Sequence, residues 1–254
     1  MPTLAAFLNF VAATALLMAA CYGLREFWVR ALPGKVVAYL AAPGVALHEL
    51  SHALACLLTG AKVHSITLFR ADGSGEVKHS PSKLRYVGDV IIALAPLAGA
   101  TLALWGLGVL LETPLNFYSV RAKEVTPDQI VFVAQLLSIV VDDIGLAFSS
   151  AVWSDWRTYV FLYLAFCITL AMAPSRQDLK NCTVGLLIVC GIALIVHLVV
   201  DVLLKARSDG PVFQFVARLL AYFHYPLAIA AISAILCAIV FVIGLPFRGR
   251  RRRR

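Results

Sequence analysis

The run His48-Glu49-Leu50-Ser51-His52 places two imidazoles four positions apart, with a carboxylate directly after the first. On a helix, residues i and i+4 lie one turn apart on the same face, so both rings can reach one metal ion. Zn²⁺ favours histidine nitrogen. A catalytic zinc takes three protein ligands and keeps a fourth position for water, whose pKa falls toward about 7. Glu49 is placed to take that water's proton and pass it to a leaving amine. The five-residue pattern is short, and its setting gives it weight. An ionisable side chain at mid-membrane costs about 2.5–3.5 kcal/mol on insertion scales. Three of them crowd into five positions of an apolar run over 36–60. A metal offsets that cost by coordinating two and giving the third a proton partner. The competing reading is a trio of satisfied polar groups inside a pore or helix bundle.

A third ligand must come from elsewhere. Asp178, in Ala173-Pro174-Ser175-Arg176-Gln177-Asp178-Leu179, follows a span that Pro174 breaks, so its backbone can turn inward. The competing reading is a surface Asp near a helix start, stabilised by the helix dipole. Asp142 or Asp143 comes next in order, then His64 or His79. Asp89 and Asp201 fit packing or helix-end roles better.

The elements that carry these residues belong to a membrane chain. Of 254 residues, 61% are hydrophobic and 14% charged, and mean hydropathy is +0.87. Soluble domains are nearer 45–50% apolar and about 25% charged. That contrast excludes a disordered chain, a coiled coil and an ordinary cytosolic enzyme. It leaves a single-domain polytopic membrane protein over 1–254, all-α, with about six transmembrane helices. The net charge of +8 is local. Six of the 22 basic residues, Arg248 and Arg250 to Arg254, sit in the last seven positions, which leaves 16 basic against 14 acidic. A basic tail over 248–254 on a nearly neutral body does not point to nucleic acid. It reads as a topology anchor on anionic lipid and makes the C-terminus cytoplasmic. The six cysteines show no CxxC spacing and read as small core residues.

Apolar runs place spans near 4–21, 36–60, 87–111, 159–173, 183–204 and 227–245. No basic residue precedes the first, so a retained helix is favoured over a signal peptide. The segment 129–152, interrupted by Asp142-Asp143, reads as an interfacial or re-entrant helix pair, with a full span as the alternative. Between the second and third spans, Val63–Phe69 and Glu76–His79 have strand character. Ala71-Asp72-Gly73-Ser74-Gly75 between them is a turn signal, so a small β-hairpin at the membrane surface is expected.

Pro43-Gly44, His48-Glu49-Leu50-Ser51-His52-Ala53, the polar hairpin and Ala95-Pro96-Leu97-Ala98-Gly99-Ala100 together resemble the site-2 protease class of intramembrane zinc metalloproteases. The resemblance covers roughly 36–180, the expected core. It implies one zinc ion held by His48, His52 and Asp178, with Glu49 as catalytic base. It also implies hydrolysis of a peptide bond inside or near the membrane. The family's Asn- and Pro-containing run ending in Leu-Asp-Gly has no counterpart here. A Pro-Ser-x-x-Asp element takes its place, which marks a divergent branch.

A helix hides its peptide carbonyls in i→i+4 bonds, so a transmembrane substrate must unwind before attack. The hairpin could hold the unwound segment as an added strand. Water must reach the metal through a polar channel bordered near Gly99 and Asp178. The expected partners are the lipid bilayer, a membrane-protein substrate and a separate regulatory membrane protein. The expected location is the cytoplasmic membrane of a prokaryote. Two other functions stay open: a zinc-dependent membrane hydrolase of a non-protein substrate, and a non-catalytic transporter or assembly factor with a vestigial metal site. Glu49 argues against the last, since a structural site does not need it. The absence of an EExxxR motif argues against a prenyl-endopeptidase type.

Overall fold

The computed structural model of the chain describes residues 2–31, 34–112 and 151–172 continuously, with Ser175, Asp178, Lys180 and isolated positions between 134 and 199. The elements run α1 (Pro2–Ala31), α2 (Gly34–Thr59), β1 (Val63–Thr67), β2 (Glu76–His79), α3 (Arg85–Leu110) and α4 (Trp156–Ala171). Among them, α2 and α3 are each long and apolar enough to cross a membrane. Helix α1 is longer than the run over 4–21 suggests, because Arg25, Glu26 and Arg30 continue it as a helix beyond the apolar stretch. The expected span over 227–245, the basic tail, all but a few positions of 183–204 and half of 129–152 lie outside the described residues.

Among the described elements, helix α2 packs against both α3 and α4. Gly44 makes the α2–α4 approach possible: a Cβ there would overlap the backbone carbonyl of Cys167. Nearby, the Cys167 thiol donates to the Leu40 carbonyl at 2.9 Å. Leu24 and Trp28 of α1 join Val37, Ala41 and Leu170 in one core cluster, with the Trp28 ring edge-on to Phe166. On the other face, Ala55 and Cys56 of α2 meet Ile92 of α3. Gly99 packs on Ser51 so closely that a Cβ would overlap the hydroxyl. Gly99 therefore serves close helix contact. Small residues permit such close helix approach where the surrounding lipid is as apolar as the helices.

The end of α2 is fixed by a Schellman motif. Ala61 N–H donates to the Cys56 carbonyl at 2.8 Å and Gly60 N–H to Leu57 at 3.3 Å, with Gly60 at φ +72°. The antiparallel hairpin follows, with Ser65, Ile66 and Thr67 opposite Lys78, Val77 and Glu76, and a bulge between Val63 and Ser65. Asp72 accepts from the Ser74 N–H and hydroxyl, closing the turn. The hairpin folds back along α2. Its turn residue Gly73 lies against Ala38, and Phe69 meets Tyr39 with ring centroids 5.8 Å apart. Ala38 is about 30 Å along the helix from Thr59, at 1.5 Å per residue. This return path brings the hairpin's second half over Glu49.

Candidate metal centre

His48 and His52 project from one face of α2, as the four-residue spacing requires, with Nε2 atoms 3.1 Å apart. Each ring is held from behind. His48 Nδ1 is 2.6 Å from the Ala171 carbonyl at the end of α4, and His52 Nδ1 is 2.8 Å from the Ile92 carbonyl of α3. A carbonyl only accepts, so each Nδ1 carries the proton and each Nε2 presents a lone pair. Asp178 Oδ2 stands 3.7 Å from His48 Nε2 and 3.5 Å from His52 Nε2. One ligand atom from each of the three lies within 4.8 Å of the others. Two facing lone pairs and a carboxylate, with no proton between them, repel unless a cation is shared. Nitrogen and oxygen donors in this number match zinc.

Asp178 is positioned by its neighbour. Ser175 N–H donates to Asp178 Oδ2 at 2.7 Å, and Asp178 N–H donates to Ser175 Oγ at 3.1 Å. This reciprocal pair is a capping box, in which residues three apart satisfy each other's backbone N–H. The Pro-Ser-x-x-Asp element visible in the sequence is thus a capping box as well as the carrier of Asp178.

Glu49 is 7% exposed, yet it borders two cavities. The first, of about 580 Å³, also includes His48, His52 and Asp178, Gly75 to Val77 and His79 of the hairpin, and Asp89, Ile92 and Ala93 of α3. The second, of about 680 Å³, lies across the turn and is lined by Tyr22, Arg25 and Glu26 of α1, the N-terminal half of α2, and residues 72–75. Gly75 separates them: a Cβ on Gly75 would overlap Glu49 Cγ. The hairpin is itself pinned by an ion pair between Arg70 and Glu76. That hydrogen bond holds the Glu76 carboxyl below its ordinary range and raises the Arg70 guanidinium.

The family model described as Peptidase M50B-like matches residues 12–240. The chain belongs to this family. M50 proteins are membrane metallopeptidases that usually use zinc, so the family and the donor set agree on the kind of group the centre suits. Neither the comparison with curated proteins nor that with solved structures gives a match.

Of the other residues weighed as ligands, His79 faces the first cavity, with its Nδ1 2.9 Å from the Ser80 carbonyl. His64 is exposed on β1, and Asp142 is exposed. Asp143 and Asp201 lie outside the described residues. Asp89, near the start of α3, borders the first cavity. Sequence reasoning missed Gly75, because a glycine in a turn signals only a turn. It also missed the two carbonyls behind the imidazoles, which are 40 and 123 residues distant in sequence.

Proposed function

We propose that this M50B-like protein is a zinc endopeptidase that hydrolyses a peptide bond of a membrane-anchored protein. The observation that carries the proposal is the convergence of two imidazole Nε2 atoms and a carboxylate oxygen beside Glu49, at the wall of two open cavities. His48, His52 and Asp178 would hold the ion. Zinc supplies Lewis acidity there, polarising a carbonyl and making water a nucleophile near neutral pH. Glu49 takes a proton from the attacking water and delivers it to the amine that leaves, so one water is consumed and an acid and an amine are released. The cavity wall formed by Glu76, Val77 and His79 offers the β2 edge to an unwound substrate segment, which would add as a third strand. Placement in a prokaryotic cytoplasmic membrane with a cytoplasmic C-terminus, and selection of substrate by a separate membrane protein, complete the reading.

The test uses the full chain in lipid nanodiscs with a panel of transmembrane-helix peptides, read by mass spectrometry of fragments alongside bound zinc. The parent should cleave and hold one zinc. Glu49→Gln should hold one zinc and cleave nothing. Cleavage by Glu49→Gln at the parental rate would overturn the assignment. A parent that hydrolyses non-protein esters or amides but no peptide would favour the second hydrolase reading.

A further inference from the structure

Pro96 lies inside α3 and is among the most deeply buried residues. Proline has no N–H, so the carbonyl four residues earlier, that of Ile92, loses its helical donor. The ring also pushes that carbonyl away from the helix. A buried carbonyl without a donor is costly, and most such groups find one elsewhere. The Ile92 carbonyl finds His52, whose Nδ1 lies 2.8 Å away on the neighbouring helix.

The requirement is mutual. His52 can present an unprotonated Nε2 only while Nδ1–H has an acceptor, and in a helix interior every carbonyl is normally taken. His48 meets the same need differently. Its acceptor, Ala171, is the last residue of α4, where carbonyls have no partner further along the helix. Helix α3 continues to Leu110, fourteen residues beyond Pro96, so no helix end is available to His52.

We propose that Pro96 is a positioning residue of the metal centre. By withholding an N–H it reserves the Ile92 carbonyl for His52, and so fixes the tautomer and ring plane that aim Nε2 at Asp178 and His48. This rests on the zinc reading of the centre. Outer partners of metal-bound histidine commonly set metal affinity by 10–100-fold. The same residue could instead serve only to shape α3, and the two roles can be separated chemically.

The experiment compares the full chain in lipid nanodiscs in four forms: parent, His52→Ala, Pro96→Ala, and a chain with lactic acid in place of Pro96. Lactic acid forms a backbone ester that lacks both the ring and the N–H. Zinc alone is the probe, titrated against a chelator of known affinity. Nitrogen-15 spectra of labelled histidine report the Nδ1 proton. Pro96→Ala should weaken zinc about tenfold or more, and the ester chain should stay within about threefold of the parent. Pro96→Ala should also move the His52 Nδ1 resonance, while the ester chain should not. Misfolding of Pro96→Ala beside an intact, zinc-binding ester chain points the same way. Parental affinity in Pro96→Ala, equal losses in both substituted chains, or failure of both to fold would overturn the proposal. A parent that binds no zinc, or binds it equally well in the His52→Ala form, would instead overturn the zinc reading itself.

Discussion

At the scale of single residues, the centre depends on side chains that are missing as much as on those present. Gly75 lets the hairpin lie over Glu49. Adding one methyl there forces either the Glu49 side chain or the turn to move, because the added atom would meet Cγ, Cδ and Oε1 together. Gly75→Ala should therefore lower turnover by about 10²–10⁴-fold, the range for losing a positioned general base, and leave zinc bound in full. Peptide cleavage measured beside metal content checks this, and parental cleavage would show that the turn yields freely. Ser175 supports a ligand rather than the base. Ser175→Ala removes one half of the capping box, which should cost about 1 kcal/mol of local helix stability and weaken zinc about tenfold or more. Chelator competition separates this from Gly75→Ala. That His48, Glu49 and His52 come together is legible in sequence because four residues make about one helical turn whatever the tertiary fold. Asp178 is legible only by position, since 126 residues separate it from His52. The carbonyls behind the rings and the Gly75 approach are tertiary facts, set by how α3, α4 and the hairpin pack on α2.

At the scale of elements, hydropathy locates α2, α3 and α4 within a few residues of their ends. Their contacts follow from small residues that a hydropathy plot ignores. Gly44 is the sharpest case. Gly44→Leu must push α4 from α2 or bend one of them, and overpacking a tight contact typically costs about 1–3 kcal/mol. Because Ala171 ends α4 and accepts from His48, the same separation should loosen zinc. Thermal unfolding in nanodiscs and chelator competition should both register the change, and a loss of stability with unchanged zinc affinity would uncouple the two. The hairpin is legible as two strands and a turn, but its direction of travel is not. Its return along α2 depends on the Schellman turn at Gly60 and on where Gly73 and Phe69 find space. Its turn is also pinned electrostatically. Arg70 holds the Glu76 carboxyl below its ordinary value of 4.5, so the pair's contribution is fully present above that value and is lost only as pH falls through the lower, folded one. Lys78 lies 4.0 Å from Glu76 and acts in the same direction, and Ser74 holds Asp72 low. Limited proteolysis of the turn should therefore stay slow as pH drops through the mid-4 range and accelerate below it. Arg70→Ala should shift that acceleration upward.

At the scale of the whole molecule, the centre joins separate parts of the chain. The proposed ligands come from α2 and from the segment after α4, while α3 and α4 supply the carbonyls behind the two imidazoles. Any ion that binds only when these parts are assembled stabilises the assembly by mass action, about 4 kcal/mol when free zinc is 1,000 times its dissociation constant. Without it, three groups that present lone pairs face one another across 3.1–3.7 Å within the packed helices. Chelation should lower the unfolding temperature of the parent, and adding zinc back should restore it in a concentration-dependent way. His48→Ala and Asp178→Ala should start from a lower temperature in zinc and respond little to chelator. Glu49→Gln should respond as the parent does, because its carboxylate is not among the ligands. That last comparison separates fold from chemistry: the three proposed ligands should couple to stability, and Glu49 to turnover alone. An unfolding temperature in the parent that ignores both chelator and added zinc would mean that these helices assemble without the ion, and the repulsion argued for the three donors would be wrong.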